Sequence, residues 1–147
     1  MQNLPQTPEP IIKEVMLDAT VEKVWKALTN KEEMKKWYFD ISEFQPKTGF
    51  IFRFYGEKDG RKFTHICTIQ EVIPNEKLSY TWTYEGIPGV THVVFELFPD
   101  GNQTRLRLTH EGLEKLPQND DYARSNFEDG WNYIIGTSIK KYIADTN

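Results

Sequence analysis

The apolar residues of this chain change their spacing along the sequence, and that change restricts the folds open to it. From about residue 50 to residue 110 they alternate with polar residues, as in β-strands with one buried face. Near both ends they recur every third or fourth residue, as on one face of an α-helix. A strand-rich middle between helical ends predicts an α+β fold, in which one helix covers one face of an antiparallel sheet. The final helical pattern begins near Asn119 and predicts one long helix. Its recurring residues are Phe127, Trp131, Ile134, Ile135, Ser138, Ile139, Tyr142 and Ile143.

The first part of the chain predicts a strand followed by two short helices. Residues 11–18 have the pattern of a strand. Thr20 is a good helix cap, and the acidic Glu22 follows near the positive end of the helix dipole. This helix ends near Asn30, and a shorter one covers residues 31–37. The face of the first helix is formed by Val21, Val24, Trp25 and Leu28.

The middle part predicts antiparallel strands separated by turns. Asp59 and Gly60 suit a type I′ hairpin turn, in which both positions have positive φ. A strand follows over about residues 61–73, and the next one, residues 78–84, alternates large rings with small hydroxyl side chains. We expect about six or seven strands, one face of which is largely aromatic. The inward side chains include Phe50, Phe52, Phe54, Tyr80, Trp82, Tyr84, Val93, Phe95, Leu97, Leu106, Leu108 and His110.

Size and charge narrow the classes of function. A chain of 147 residues is close to the usual size of one domain. We therefore expect a single domain over residues 11–147 after a flexible, proline-rich segment, residues 1–10. The net charge of −4 argues against a dedicated surface for nucleic acid or anionic lipid. One cysteine, no signal-peptide pattern and no apolar run of about 20 residues predict a cytoplasmic protein without membrane insertion.

Local motifs spread over most of the chain carry a family resemblance. They are VWKALT at residues 24–29, Trp37, IQEVIP at 69–74, LSYTW at 78–82, FEL at 95–97, TRLRLTHEG at 104–112 and the pair Gly130–Trp131. Together they resemble the START-like, or helix-grip, superfamily, and within it the family named after the activator of heat shock protein 90 ATPase. The resemblance implies a curved antiparallel sheet that grips a long C-terminal helix. It also implies a cavity for an apolar ligand between sheet and helix.

The inward rings allow two interpretations. They form either a solid core, which is the usual state of a protein interior, or the walls of a partly open cavity, in which tyrosine hydroxyls orient a ligand. The resemblance favours the cavity. We therefore expect a small apolar or aromatic ligand, bound without a cofactor. The side chains expected to contact it are Trp37, Phe52, Phe54, His65, Cys67, Tyr80, Trp82, Tyr84, Phe95, His110, Trp131 and Ile135.

Three alternatives to simple ligand binding follow from the same residues and the same resemblance. His65, Cys67 and His110 could bind zinc, but no zinc-binding spacing is present and we expect no metal. A cyclase-like enzyme would use His65, His110, Tyr80 or Tyr84 to move protons. Because no carboxylate pair or activated nucleophile can be placed, we assign no catalytic residue. The family name also implies a chaperone as a partner of the outer surface, and the chain could be a monomer or a homodimer.

Overall fold

One antiparallel sheet and a C-terminal helix form the two layers of this protein in a computed structural model that describes residues 9–146. The predicted flexible segment, residues 1–10, lies outside the described residues except for Glu9 and Pro10. No helix in the described part is long and apolar enough to cross a membrane. The elements are β1 (Ile11–Leu17), α1 (Val21–Thr29), α2 (Lys31–Trp37), β2 (Ile51–Lys58), β3 (Arg61–Ile73), β4 (Lys77–Tyr84), β5 (Ile87–Asp100), β6 (Gln103–Glu111), α3 (Arg124–Tyr133) and α4 (Ile139–Asp145).

The sheet is curved and has the strand order β1-β6-β5-β4-β3-β2. All neighbouring strands are antiparallel. Its concave face packs against the C-terminal helix, while α1 and α2 follow the first strand. This arrangement confirms the predicted α+β helix-grip fold, with six strands in the described residues.

Side-chain caps and one tryptophan hold the two short helices together. The hydroxyl of Thr20 accepts a hydrogen bond from the backbone N–H of Lys23 (3.4 Å), which caps α1 as predicted. Asn30 ends α1 and caps α2. The indole N–H of Trp37 donates to the carbonyl oxygen of Ala27 (2.8 Å), so the end of α2 is fixed to α1.

The hairpin between β2 and β3 follows from its two turn residues. Asp59 and Gly60 have φ values of 54° and 77°, as the type I′ turn requires. This turn sets the register in which Phe54 lies opposite His65, and it directs both rings to the concave face.

The C-terminal helical stretch differs from the uninterrupted helix predicted from near Asn119. Asp120–Tyr122 forms a 3₁₀ turn, and the extended backbone of Ala123 (ψ 142°) separates it from α3. Between α3 and α4, Ile134–Ser138 forms a π-helical turn. Four residues of an α-helix rotate through about 400°, so side chains at every fourth position shift by about 40° around the helix axis. The wider π turn reverses part of this shift. The turn therefore keeps on one face a stripe that repeats every fourth residue: Phe127, Trp131, Ile135, Ile139 and Ile143.

Gly89 in β5 lies against the backbone that follows β6. Its φ is +109°, and an added Cβ would overlap the carbonyl oxygen of Lys115. We expect Gly89→Ala to lower the free energy of unfolding by roughly 1–3 kcal/mol, because strained backbone and overlap add together. Urea denaturation measures this loss. Gly86→Ala is the matched control, since φ there is +74° but its Cβ would meet open space. Equal losses in both variants would contradict the overlap with Lys115 as a cause.

Candidate functional site

Aromatic rings fill the middle of the space between the sheet and the C-terminal helix. The ring centroids of Phe52 and Tyr80 lie 4.9 Å apart, and those of Phe54 and Trp82 lie 5.5 Å apart. Trp131 reaches in from α3, with its ring 5.6 Å from that of Trp82. All five side chains are buried. The middle of the interface is therefore packed by the protein's own rings.

Two more rings enter this space from the segment that follows α2. Phe39 stacks on Phe54 with a centroid distance of 4.2 Å. Tyr38 lies parallel to Trp131 at 6.3 Å, and its hydroxyl oxygen is 2.7 Å from that of Tyr80. Sequence reasoning missed both residues. The available signal was that two more aromatic residues directly follow Trp37, the last residue of α2. Large rings outside a strand or helix need a place to be buried.

A cleft opens at one end of the interface, where the β2–β3 hairpin, Phe39 and the residues before and within α3 meet. It has two adjoining lobes of about 180 Å³ each. Both lobes are lined by Phe39, Tyr84, Asp121 and Asn126. The first lobe adds Gly56, Glu57, Phe63, His65 and Tyr122, and the second adds Trp82, Phe127, Gly130, Trp131 and Ile134.

The structure brings four of the predicted ligand contacts to this cleft: His65, Trp82, Tyr84 and Trp131. The others are buried in the core away from the cleft lining, and their contact with a ligand stays a prediction. They are Trp37, Phe52, Phe54, Cys67, Tyr80, Phe95, His110 and Ile135. The sequence could have indicated Phe63 and Phe127, since Phe63 alternates with His65 and Phe127 begins the helical stripe.

His110 at the end of β6 lies in a chain of hydrogen bonds. The indole N–H of Trp131 donates to Nδ1 of His110 (3.0 Å), so the ring hydrogen is on Nε2 and is donated to the hydroxyl oxygen of Thr91 (2.8 Å). That hydroxyl donates in turn to the carbonyl oxygen of Trp82 (2.8 Å). Burial lowers the pKa of His110 to about 3, with a smaller effect from the charge of His92. His110 is thus neutral, and both of its nitrogens are used to hold Trp131 and β5 in place.

His65 and Tyr84 form the polar part of the cleft interior. Nδ1 of His65 donates to the carbonyl oxygen of Phe63 (3.0 Å), and burial lowers the pKa of His65 to about 4. The hydroxyl oxygen of Tyr84 accepts a hydrogen bond from the indole N–H of Trp82 (3.0 Å). Burial raises the pKa of Tyr84 above its usual value. Both groups are therefore uncharged near neutral pH.

Carboxylates lie at the rim of the cleft. Glu57 and Asp121 line the first lobe. Arg61 donates from both terminal nitrogens to Asp121, at 3.0 and 2.7 Å, and so connects the start of β3 to the 3₁₀ turn before α3. Asn126 donates from its amide nitrogen to the carbonyl oxygen of Asp120 (2.6 Å). These contacts fix the wall of the cleft that comes from irregular backbone.

The thiol and imidazole groups do not assemble into a metal site in the described residues. Cys67 is completely buried, and burial raises the pKa of its thiol. Between residues 9 and 146, no three side chains of His, Cys, Asp or Glu come close enough together to hold a metal ion. The expectation that the protein uses neither metal nor cofactor stays a prediction.

Comparisons with known proteins agree with this architecture. The family model described as "Activator of Hsp90 ATPase homolog 1-like protein" matches residues 18–144. No curated protein matches the chain. Among solved structures, DynU16, described as a putative protein in the dynemicin biosynthetic locus, has a TM-score of 0.76 and 18% identity, over 96% of this chain and 49% of that one. This chain thus spans about half the length of DynU16.

The similarity to two further solved structures extends over most of this chain and most of the other protein's chain. Protein MLL2253 from Mesorhizobium loti has a TM-score of 0.74 and 23% identity, over 95% of this chain and 99% of that one. CalU16 from Micromonospora echinospora has a TM-score of 0.69 and 23% identity, over 92% and 76%. At sequence identities of 18% and 23%, the similarity to these three structures shows a shared fold.

Proposed function

Because the chain belongs to the family of Activator of Hsp90 ATPase homolog 1-like proteins and has its START-like fold, we propose that it binds a small aromatic or apolar molecule in the cleft. The observation that carries this proposal is the cleft itself, two lobes of about 180 Å³ that meet at Phe39 and Tyr84. Small-molecule sites are typically concave, mostly apolar and equipped with few polar groups. The cleft has these properties.

The walls of the cleft suit a flat ligand. Trp82, Phe127 and Trp131 line one lobe, and Phe63 and Tyr122 line the other. Aromatic rings attract another ring in offset or edge-on arrangements, beyond the gain from burying apolar area. The indole N–H groups of Trp82 and Trp131 donate hydrogen bonds to Tyr84 and His110, which hold both rings in place. A ligand therefore loses little affinity to side-chain ordering.

The proposal is for binding without covalent chemistry. Both nitrogens of His110 are engaged with protein groups, and the carbonyl of Phe63 accepts from His65. The chaperone partner and the cyclase-like activity implied by the resemblance remain separate proposals. The first concerns the outer surface, and the second would need proton transfer by His65 or Tyr84 in addition to binding.

Filling the second lobe tests the proposal. Gly130 lines that lobe on α3, and an added Cβ there would meet open space. We expect Gly130→Leu to weaken binding of the neutral fluorescent probe N-phenyl-1-naphthylamine at least about tenfold, because the leucine occupies the ligand's space. Leucine is also the better helix former by about 1 kcal/mol, so folding is retained. A fluorescence titration of both proteins, with urea denaturation alongside, measures binding and stability.

Gly136 provides the matched control. It lies on the same helical stretch, its Cβ would also meet open space, and it is not part of the cleft lining. Gly136→Leu should bind the probe as the wild-type chain does. Failure of the wild type to bind, or equal affinity in the wild type and Gly130→Leu, would contradict binding in the cleft.

A further inference from the structure

We propose that the ligand of the cleft carries an aromatic hydroxyl group, whose oxygen accepts a hydrogen bond from Tyr84 and whose hydrogen is donated to His65. This inference rests on the proposed function, because it assigns a chemical class to the ligand of that same cleft. In the cleft, one hydroxyl hydrogen and one nitrogen lone pair of the protein are not used in hydrogen bonds within the protein, and a ligand can bind to both.

Tyr84 has a hydrogen to donate. Its hydroxyl oxygen accepts the indole N–H of Trp82 at 3.0 Å. An indole nitrogen can only donate, so the hydrogen of the Tyr84 hydroxyl is not used in this contact. Among residues 9–146 the hydroxyl has no second hydrogen-bond partner. Since Tyr84 lines both lobes of the cleft, a bound ligand is the acceptor within reach.

His65 has a lone pair to offer. Its Nδ1 lies 3.0 Å from the carbonyl oxygen of Phe63, and a carbonyl oxygen only accepts. The hydrogen of the neutral ring is therefore on Nδ1, and Nε2 is an acceptor. Within the described part of the chain, no buried side-chain nitrogen or oxygen lacks a hydrogen-bond partner. The backbone carbonyl of Phe54 is a second acceptor near the imidazole ring. No hydrogen bond is formed at Nε2 itself within the described residues, so Nε2 is accessible from the open space that His65 borders, which is the first lobe.

The two groups stand side by side. His65 on β3 pairs with Tyr84 on β4, and their ring centroids are 4.7 Å apart. Gly56 on β2 leaves room for the imidazole, since an added Cβ would come within 2.8 Å of its Cε1 atom. One donor and one acceptor on neighbouring rings suit a ligand group that is itself both acceptor and donor, as a hydroxyl is.

Other ligand groups fit this pair less well. A carboxylate cannot donate to His65, and it would lie near the carboxylate of Glu57. An ammonium group cannot accept from Tyr84, and an ether cannot donate. Sites that hydrogen-bond a hydroxyl discriminate strongly against analogues without it, because buried polar groups are then left unpaired. The aromatic walls favour a hydroxyl carried on a flat ring.

Three matched ligands test this inference: 2-naphthol, 2-methoxynaphthalene and naphthalene. They share one ring system, and only the first has a hydroxyl hydrogen. We expect the wild-type chain to bind 2-naphthol about tenfold more tightly than the other two, as measured by isothermal titration. Tyr84→Phe and His65→Phe should each reduce this preference to about threefold or less. The control Tyr133→Phe removes a hydroxyl from an exposed ring of α3 that is not part of the cleft lining, and it should keep the preference.

The outcomes separate the two proposals. Equal affinities of the wild type for all three ligands would overturn the hydroxyl inference and leave ligand binding in the cleft standing. Full preference for 2-naphthol in both Tyr84→Phe and His65→Phe would overturn it as well. If neither these ligands nor N-phenyl-1-naphthylamine bind, the proposed function itself fails. Should Tyr84→Phe not fold, the wild type and His65→Phe still decide the question.

Discussion

Lowering the pH from 7 to 5 is expected to lower the free energy of unfolding by about 4 kcal/mol, because two buried histidines stay neutral in the folded chain. Burial lowers the pKa of His110 to about 3 and that of His65 to about 4. In the unfolded chain both groups have a pKa near 6.5. Below that pH the unfolded state binds more protons than the folded state, so the folded state loses stability as the pH falls.

The size of the stability loss depends on the difference between the pH and the pKa of each histidine in the unfolded chain. One pH unit corresponds to about 1.36 kcal/mol for each group, so at pH 5 each histidine contributes a loss of about 2 kcal/mol. The loss continues toward the folded-state pKa values of about 4 and about 3. Most carboxylates titrate below pH 5, so the interval between pH 7 and 5 reports mainly on the histidines.

Urea denaturation at pH 7, 6 and 5 measures this dependence. His65→Phe keeps a ring beside Phe54 and removes one of the two titrating groups, so its loss between pH 7 and 5 should be about 2 kcal/mol. A wild-type loss under about 1 kcal/mol would show that these imidazoles are protonated in the folded chain, and it would contradict the hydrogen-bond chain through His110.

The elements that sequence alone could place are those with strong local signals. The bounds of β3, residues 61–73, agree with the prediction because the Asp59–Gly60 turn and Pro74 mark both of its ends. Thr20 and Asn30 likewise mark the starts of α1 and α2. The π turn at Ile134–Ser138 was not predictable in this way. An apolar residue at every third or fourth position fits a continuous α-helix equally well, and tertiary packing decides which side chains are buried.

Alternation showed which face each ring occupies, but not where the rings leave space. It placed Phe54, Trp82 and Tyr84 on the concave face, where the structure has them. The position of Phe39 determines where the open space lies. Phe39 packs on Phe54, and the cleft remains between Phe39, Tyr84 and α3. Phe39 comes from irregular backbone, and so do the cleft residues of the 3₁₀ turn before α3. Irregular segments have no periodicity from which a contact could be inferred.

The substitution Trp131→Ala is expected to lower the free energy of unfolding by about 3–5 kcal/mol. Trp131 is 2% exposed, and its ring contacts those of Trp82 (5.6 Å), Phe95 (6.2 Å) and His110 (5.9 Å). Its removal leaves a cavity on the α3 side of the core. It also leaves Nδ1 of His110 without the indole N–H that it accepts, and an unpaired buried acceptor is costly.

The variant Trp131→Phe separates these two causes. It retains most of the ring but removes the donor to His110, so we expect a loss of about 1–3 kcal/mol from the unpaired nitrogen. Trp25→Ala serves as a control for the loss of an indole at a half-buried position on α1. It should be less destabilising than Trp131→Ala, because less apolar area is buried there. Urea denaturation compares the three variants, and equal losses for Trp131→Ala and Trp25→Ala would contradict a central role of Trp131 in the core.

Trp131→Ala also tests where the ligand binds in the cleft. Trp131 is both a core residue and part of the second lobe. Trp131→Ala should therefore enlarge that lobe, and pyrene, which has four fused rings, should gain affinity relative to naphthalene. Gly130→Leu changes the same lobe in the opposite direction, since the leucine fills part of the lobe that Trp131→Ala enlarges. If pyrene and naphthalene keep their relative affinities in both variants, the ligand does not lie against Trp131 in the second lobe.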